Sequence, residues 1–223
     1  MHYEMRITKG NNDDEYLNKM IRASKITSKT INSIPCVELT SDNSLNNLIR
    51  ITHMKLLEAS MLRHDEHRYD EVGILMELVE PYQYEVYFGK VDEKTGISSI
   101  KSNDSRFLAY IAKHSKEQLM FMHNHPNNSC FSYGDLCNFI LTDEIKIITA
   151  VGNSHGVHSM CKDKNFNKNE TIKYLKIATS KINLKDNTED IGKKRDRIVL
   201  DIIKNISKLG IKYRYSESKD WRQ

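Results

Sequence analysis

The apolar residues Leu119, Met120, Phe121 and Met122 lead straight into His123-Asn124-His125 and stop at Pro126, and Ser132-Tyr133-Gly134-Asp135 follows. No other stretch constrains the fold as much. A short apolar segment closed by a proline reads as a buried strand ending in a loop. A serine three positions ahead of an acid reads as the start of a helix. In an extended backbone, residues two apart project to the same side, so His123 and His125 can reach one ion from the strand end. Asp135 can supply a third ligand from the helix. Two imidazoles and a carboxylate, with a fourth position left to water, are the donor set of a catalytic zinc site. Each half has a plainer reading alone: S-x-x-D is also a capping box, and paired histidines occur on many surfaces. The combination points to metal binding.

The rest of the chain predicts an ordinary soluble scaffold for this unit. At 223 residues it is long for one minimal domain and short for two, so one core with appended helices is expected. No apolar run approaches the roughly 20 residues of a membrane helix. The N-terminus (Met1-His2-Tyr3-Glu4-Met5-Arg6) lacks the apolar stretch of a signal peptide. A cytoplasmic protein with no membrane partner is therefore expected. Cys36, Cys130, Cys137 and Cys161 form no C-x-x-C pair and read as free thiols. His155, His158 and Cys161 could be a ligand trio, but on an alternating segment they fall on different faces. His64 and His67 read as surface residues.

Charge is unevenly placed: residues 162–223 carry +8 and residues 1–161 carry −4. A basic tail can dock on nucleic acid. Here the cations alternate with acids, as in Lys193-Lys194-Arg195-Asp196-Arg197, which reads better as a solvated helix face.

Along the chain, residues 11–33 are polar and predict loose packing, with a short helical pattern at Tyr16, Leu17, Met20 and Ile21. Thr40-Ser41-Asp42 offers a cap, and Leu45, Leu48, Ile49, Thr52, Leu56 and Ala59 follow helical spacing. Strand patterns follow at Val72 to Val79 and at Tyr84 to Val91, with turns at Glu80-Pro81 and Glu93-Lys94-Thr95-Gly96. Tyr82, Tyr84, Tyr87 and Phe88 read as sheet packing. A helix is expected from Asp104 to Lys116 with Phe107, Leu108, Ile111 and Ala112 inward. After the histidine loop, in which Asn124 is expected to point away from the metal, Ile145 to Val151 reads as a strand buried on both faces. Another strand follows near Val157 to Cys161. The tail reads as helical, with stripes at Ile172, Leu175, Ala178 and Ile182 and at Ile198 to Leu209, closed by Gly210. The fold class is α/β (α+β): a mixed, partly antiparallel sheet sandwiched by helices. The expected organisation is a helical segment over 1–62, a core over 63–165 and a basic helical extension over 166–223.

His123-x-His125-Pro126 and Ser132-x-x-Asp135, taken together, resemble the JAMM/MPN-plus family of zinc metallopeptidases over about residues 70 to 162. The resemblance implies a curved MPN/JAB-like (cytidine deaminase-like) core. Zn²⁺ would be held by His123, His125 and Asp135, Ser132 would lie beside the scissile carbonyl, and a glutamate would activate water. Glu71 best matches that glutamate, with Glu66 and Glu77 close by. The loop from Pro126 to Ser132 has five intervening residues, one fewer than many members. The implied activity is hydrolysis of a peptide or isopeptide bond in a protein substrate, such as a ubiquitin-like conjugate. The alternatives are a non-catalytic MPN-like scaffold and a RadC-like protein in DNA-associated processes.

Overall fold

The computed structural model describes residues 25–62, 70–91, 98–101, 103–126, 128–154, 156–180 and 191–217. Its centre is a six-stranded mixed sheet in the order β2-β1-β5-β6-β7-β8. These strands are β1 (Val72–Glu77), β2 (Tyr84–Phe88), β5 (Leu119–His125), β6 (Ile145–Gly152), β7 (Val157–Lys162) and β8 (Ile211–Ser216). A short separate ladder joins β3 (Lys90–Val91) to β4 (Ser98–Ser99). All neighbours in the main sheet are antiparallel except β5 and β6, which run parallel.

Helices cover both faces. On one side lie α1 (Ser28–Asn32) and α2 (Asn43–Leu62). The Asp42 carboxylate accepts the Ser44 and Leu45 N–H groups, which caps α2 as its sequence suggests. Leu45, Ile49 and Leu56 of α2 pack on Val72, Ile74, Met76, Met120, Met122 and Ile147. On the other side lie α3 (Ser105–Ile111), α4 (Tyr133–Leu141), α5 (Lys168–Ser180) and α6 (Ile191–Ile206). Phe107, Leu136, Phe139, Leu175, Val199 and Ile202 meet Leu75, Phe121, Ile148 and Met160 there. Because both faces are covered, β6 is buried at nearly every position and largely apolar.

Several expectations are corrected. The tail is not helical throughout. After a single 3-10 turn at Ser207–Leu209, Gly210 adopts φ +85° and turns the chain into β8, an edge strand of the main sheet. Its alternation is only half apolar, as suits an edge, and a helix pattern does not exclude it. Helix α3 ends at Ile111, and Leu108 is 51% exposed rather than inward. Tyr84 and Phe88 are exposed on the outer strand, whereas Tyr87 is buried. Within residues 25–33 the packing is tight: Ile26 and Ile31 are buried with Ile34 against Val151 and Val157. The helical pattern at Tyr16 to Ile21, the turn at Glu93 to Gly96, Ile182, and His64, His67 and His155 lie outside the described residues. All four cysteines are free thiols. His158 and Cys161 fall on opposite faces of β7, as alternation requires. Among the described residues, no helix is long and apolar enough to cross a membrane.

Two buried polar groups tie the layers together. Lys162 donates to the Thr142 carbonyl just past the C-terminus of α4 (2.7 Å) between the rings of Phe139 and Phe166. Burial pushes its ammonium down to about 8. On the opposite face, His53 of α2 meets the Thr149 hydroxyl of β6 at 2.7 Å. Burial, helped by His123, holds the His53 imidazole down at about 3. Between that value and the ordinary 6.5 the unfolded chain binds a proton that the folded one refuses, so stability falls as pH falls through this window. His53→Gln keeps a partner for Thr149 and cannot titrate. Between pH 6 and pH 4, urea unfolding should show the wild type losing about 1.4 kcal/mol per pH unit more than the variant. Parallel slopes would contradict a neutral buried His53.

Candidate metal centre

The centre forms where β5 ends. Strand alternation sends His123 and His125 to the face covered by α4, and their Nε2 atoms stand 2.9 Å apart. Between β5 and β6 the chain crosses through α4, whose first turn returns to the end of β5. Ser132 is the N-cap: its hydroxyl oxygen accepts the Asp135 N–H at 3.1 Å, and the Asp135 carboxylate accepts the Ser132 N–H at 2.6 Å. This reciprocal box aims the carboxylate at the histidines. Asp135 Oδ1 lies 3.5 Å from His123 Nε2, and Oδ2 lies 3.3 Å from His125 Nε2. Both readings of the S-x-x-D pattern therefore hold at once, since the capping acid is also the group facing the imidazoles.

The rings are held from behind. His125 Nδ1 lies 3.1 Å from the Ser129 carbonyl, an acceptor that places the proton on Nδ1 and leaves the Nε2 lone pair for the centre. His123 stacks on Phe121 with ring centroids 5.1 Å apart and planes 13° from parallel. Among the described residues, its buried Nδ1 has no hydrogen-bond partner.

Glu71, one residue before β1, reaches the same place from the neighbouring strand. One donor atom each from Glu71, His123 and His125 all lie within 4.8 Å of one another. The Glu71 Oε2 also accepts the Ile100 N–H at 3.2 Å. Glu77, the other described glutamate of this segment, sits at the far end of β1 and pairs with His114 at 2.9 Å. Glu66 lies outside the described residues.

Glu71, His123 and His125 form a set that could hold a divalent cation, and Asp135 faces the two histidines from α4. With ligand distances near 2.0–2.1 Å, the edges of a tetrahedral site are about 3.3 Å. The imidazole–carboxylate approaches of 3.5 Å and 3.3 Å are of that order but run to different oxygens of Asp135, and the two Nε2 atoms stand closer than that edge, at 2.9 Å. Among the protein groups alone, the charges are unequal. Burial pushes the Glu71 carboxyl up against the pull of His123 and His125. Burial also opposes ionisation of Asp135, but the two histidines overcome it and hold that carboxyl well below the usual range. Burial would lower His125, yet Asp135, Glu71 and the Ser129 carbonyl raise it to about 9.

Asn124 departs from expectation. It points away from the histidines, but it lies within β5 rather than in a loop, and its side chain is fully buried. Its hydrogen bonds, like the Ser129 carbonyl and the Phe121 stack, were invisible to spacing arguments because each depends on long-range register or loop closure.

Ser132→Ala removes the acceptor for the Asp135 N–H and is expected to lower stability by about 1 kcal/mol, whereas Ser132→Thr, which keeps the oxygen, should stay within about 0.5 kcal/mol of wild type. Urea unfolding followed by circular dichroism measures both. Equal stability of Ser132→Ala and wild type would show that the cap does not hold the turn bearing Asp135. No model of a known protein family matches this chain, and no curated protein or solved structure matches it, so its own geometry carries the functional reading.

Proposed function

We propose that this protein is a zinc-dependent hydrolase of a peptide or isopeptide bond. His123, His125 and Asp135 hold the metal, Glu71 serves as the general base, and Ser132 lies beside the reacting carbonyl. The observation that carries the reading is the convergence of Glu71 and the two histidines within 4.8 Å, with Asp135 closing the set from α4. Three protein ligands leave a place for substrate or water, as in catalytic zinc sites. Zinc held there would lower the pKa of water toward 7 and would polarise the carbonyl.

Glu71 carries the proton chemistry. Its raised proton affinity suits a group that accepts a proton from the attacking water and returns it to the leaving amine. The Ser132 oxygen accepts one N–H in the cap, and its hydroxyl hydrogen is not used by that bond. It can be donated to the oxyanion that develops at the carbonyl. The mixed sheet with helices on both faces is compatible with an MPN/JAB-like core, and the JAMM/MPN-plus resemblance suggests the substrate class: a protein, including a ubiquitin-like conjugate joined through lysine.

A second reading has its own support. Glu71 is close enough to the histidines to be a ligand itself. Four protein ligands would close the site and make the protein a metal-bearing scaffold.

One set of variants separates the two. Wild type dialysed against zinc should retain one ion per chain by atomic emission, and His123→Ala and His125→Ala should lose it. Glu71→Gln should keep the ion while hydrolysis of a fluorogenic lysine-isopeptide and peptide panel falls by about 10²–10⁴. A loss of zinc affinity in Glu71→Gln of tenfold or more would favour the closed site, and no retained zinc in wild type would remove both readings.

A further inference from the structure

We infer that Asn124 is a positioning residue for Glu71. The inference rests on the hydrolase reading, because it requires Glu71 to act on what the metal holds. The main-chain ladder between β1 and β5 ends at the pair Gly73 and His123. Glu71 lies beyond that pair, where β1 would otherwise fray on its β5 side. The Asn124 side chain extends the ladder: its Oδ1 accepts the Val72 N–H at 2.7 Å. Its Nδ2 donates to the Ser60 hydroxyl oxygen at 3.2 Å and to Asn153 Oδ1 at 3.0 Å. Ser60 in turn donates to the Asp70 carbonyl at 2.6 Å. On the β2 side the Glu71 carbonyl accepts the Gly89 N–H at 2.7 Å. The main chain on both sides of Glu71 is thereby fixed, and with it the direction of the Glu71 side chain.

The network has the features of a purpose beyond packing. Asn124, Ser60 and Asn153 are all fully buried, on a face otherwise filled by Val72, Met120 and Met122. A leucine would satisfy that face without any polar group to desolvate. An amide instead imposes direction, since each of its hydrogen bonds fails on small displacements, and a buried satisfied network rigidifies its members. The tether also starts from the residue between the two histidines. The strand end that presents the imidazoles on one face therefore holds the glutamate's main chain from the other, and base and ligands keep a common frame. General-base catalysis needs that frame held to about 0.5 Å.

The test uses zinc-loaded full-length protein titrated with acetohydroxamic acid, which chelates zinc and places a hydrogen-bond donor beside a neighbouring carboxylate. Glu71→Gln should weaken hydroxamate binding about tenfold, the loss of one hydrogen bond to a charged group. Asn124→Leu should weaken it about as much while leaving zinc affinity within about twofold, and the double variant should bind no worse than Glu71→Gln alone, because one defect acts through the other. Amide hydrogen exchange of the metal-free protein gives an independent reading. Asn124→Leu should speed exchange at Ile100, whose N–H bonds to Glu71, without changing Glu77 at the other end of β1. Should Asn124→Leu fail to fold, Ser60→Ala removes the Asp70 tether and one acceptor of the Asn124 amide, leaves the Val72 bond in place, and should show the same pattern in smaller measure. Unchanged hydroxamate binding in Asn124→Leu, or losses that add in full in the double variant, would overturn the inference and leave the hydrolase reading standing. Hydroxamate binding that ignores Glu71→Gln would sink the hydrolase reading, and the inference with it.

Discussion

β5 and β6 run parallel, and the rest of the centre depends on that pairing. Antiparallel strands can be joined by a tight turn, but a parallel pair needs a crossover that carries the chain back along the sheet. Here the crossover is α4, so a helix N-terminus must arrive beside the end of the strand it follows. The first turn of a helix has unsatisfied N–H groups and favours an acid near its start. Asp135 meets that demand with one carboxylate that caps Ser132 and faces His123 and His125. Topology brings the helix to the strand, helix-end chemistry selects an acid, and strand alternation supplies the imidazoles.

The electrostatics of the site follow from crowding these groups into one poorly solvated place. Two carboxylates and two imidazoles balance only if protons or a cation are shared among them. Their environments differ: Asp135 is embraced by both histidines and the Ser132 N–H, while Glu71 has burial against it and accepts the Ile100 N–H. Two carboxylates driven apart in proton affinity can take different roles, one remaining ionised and the other exchanging protons. A bound divalent cation adds positive charge to the same spot and stabilises all the carboxylates it meets.

Much of this was readable before any coordinates, and the limit has a physical origin. The strand–loop–helix unit is local, so Leu119 to Asp135 declared both the fold around it and the converging donors. The helix capped by Asp42 and the doubly buried β6 were likewise carried by period and caps. What failed was non-local. Ile211 to Ser216 has too short and too polar a pattern to announce an edge strand, and it becomes one because β7 offers an unpaired edge. Leu108 fits a helical stripe yet faces solvent, because α3 stops at Ile111 and rests on the sheet through Phe107. Tight packing around Ile26 and Ile31 was hidden by polar neighbours in sequence. Glu71 stood beside two other glutamates, and only the antiparallel register of β1 against β5 tells it from Glu77.

Asn124 marks the same boundary most sharply. By composition it is a polar residue in a histidine-rich turn, and local rules place such a residue in a loop. The strand continues through His125 because β6 pairs with it as far as Gly152, so residue 124 must face the opposite side of the sheet from its neighbours. A polar side chain forced into that interior has to find partners or lose several hydrogen bonds to water. It finds them on Val72 of β1, Ser60 of α2 and Asn153 just past β6. His123-Asn124-His125 is therefore a single structural unit with two faces, one offering nitrogen donors and the other gripping the chain that carries Glu71.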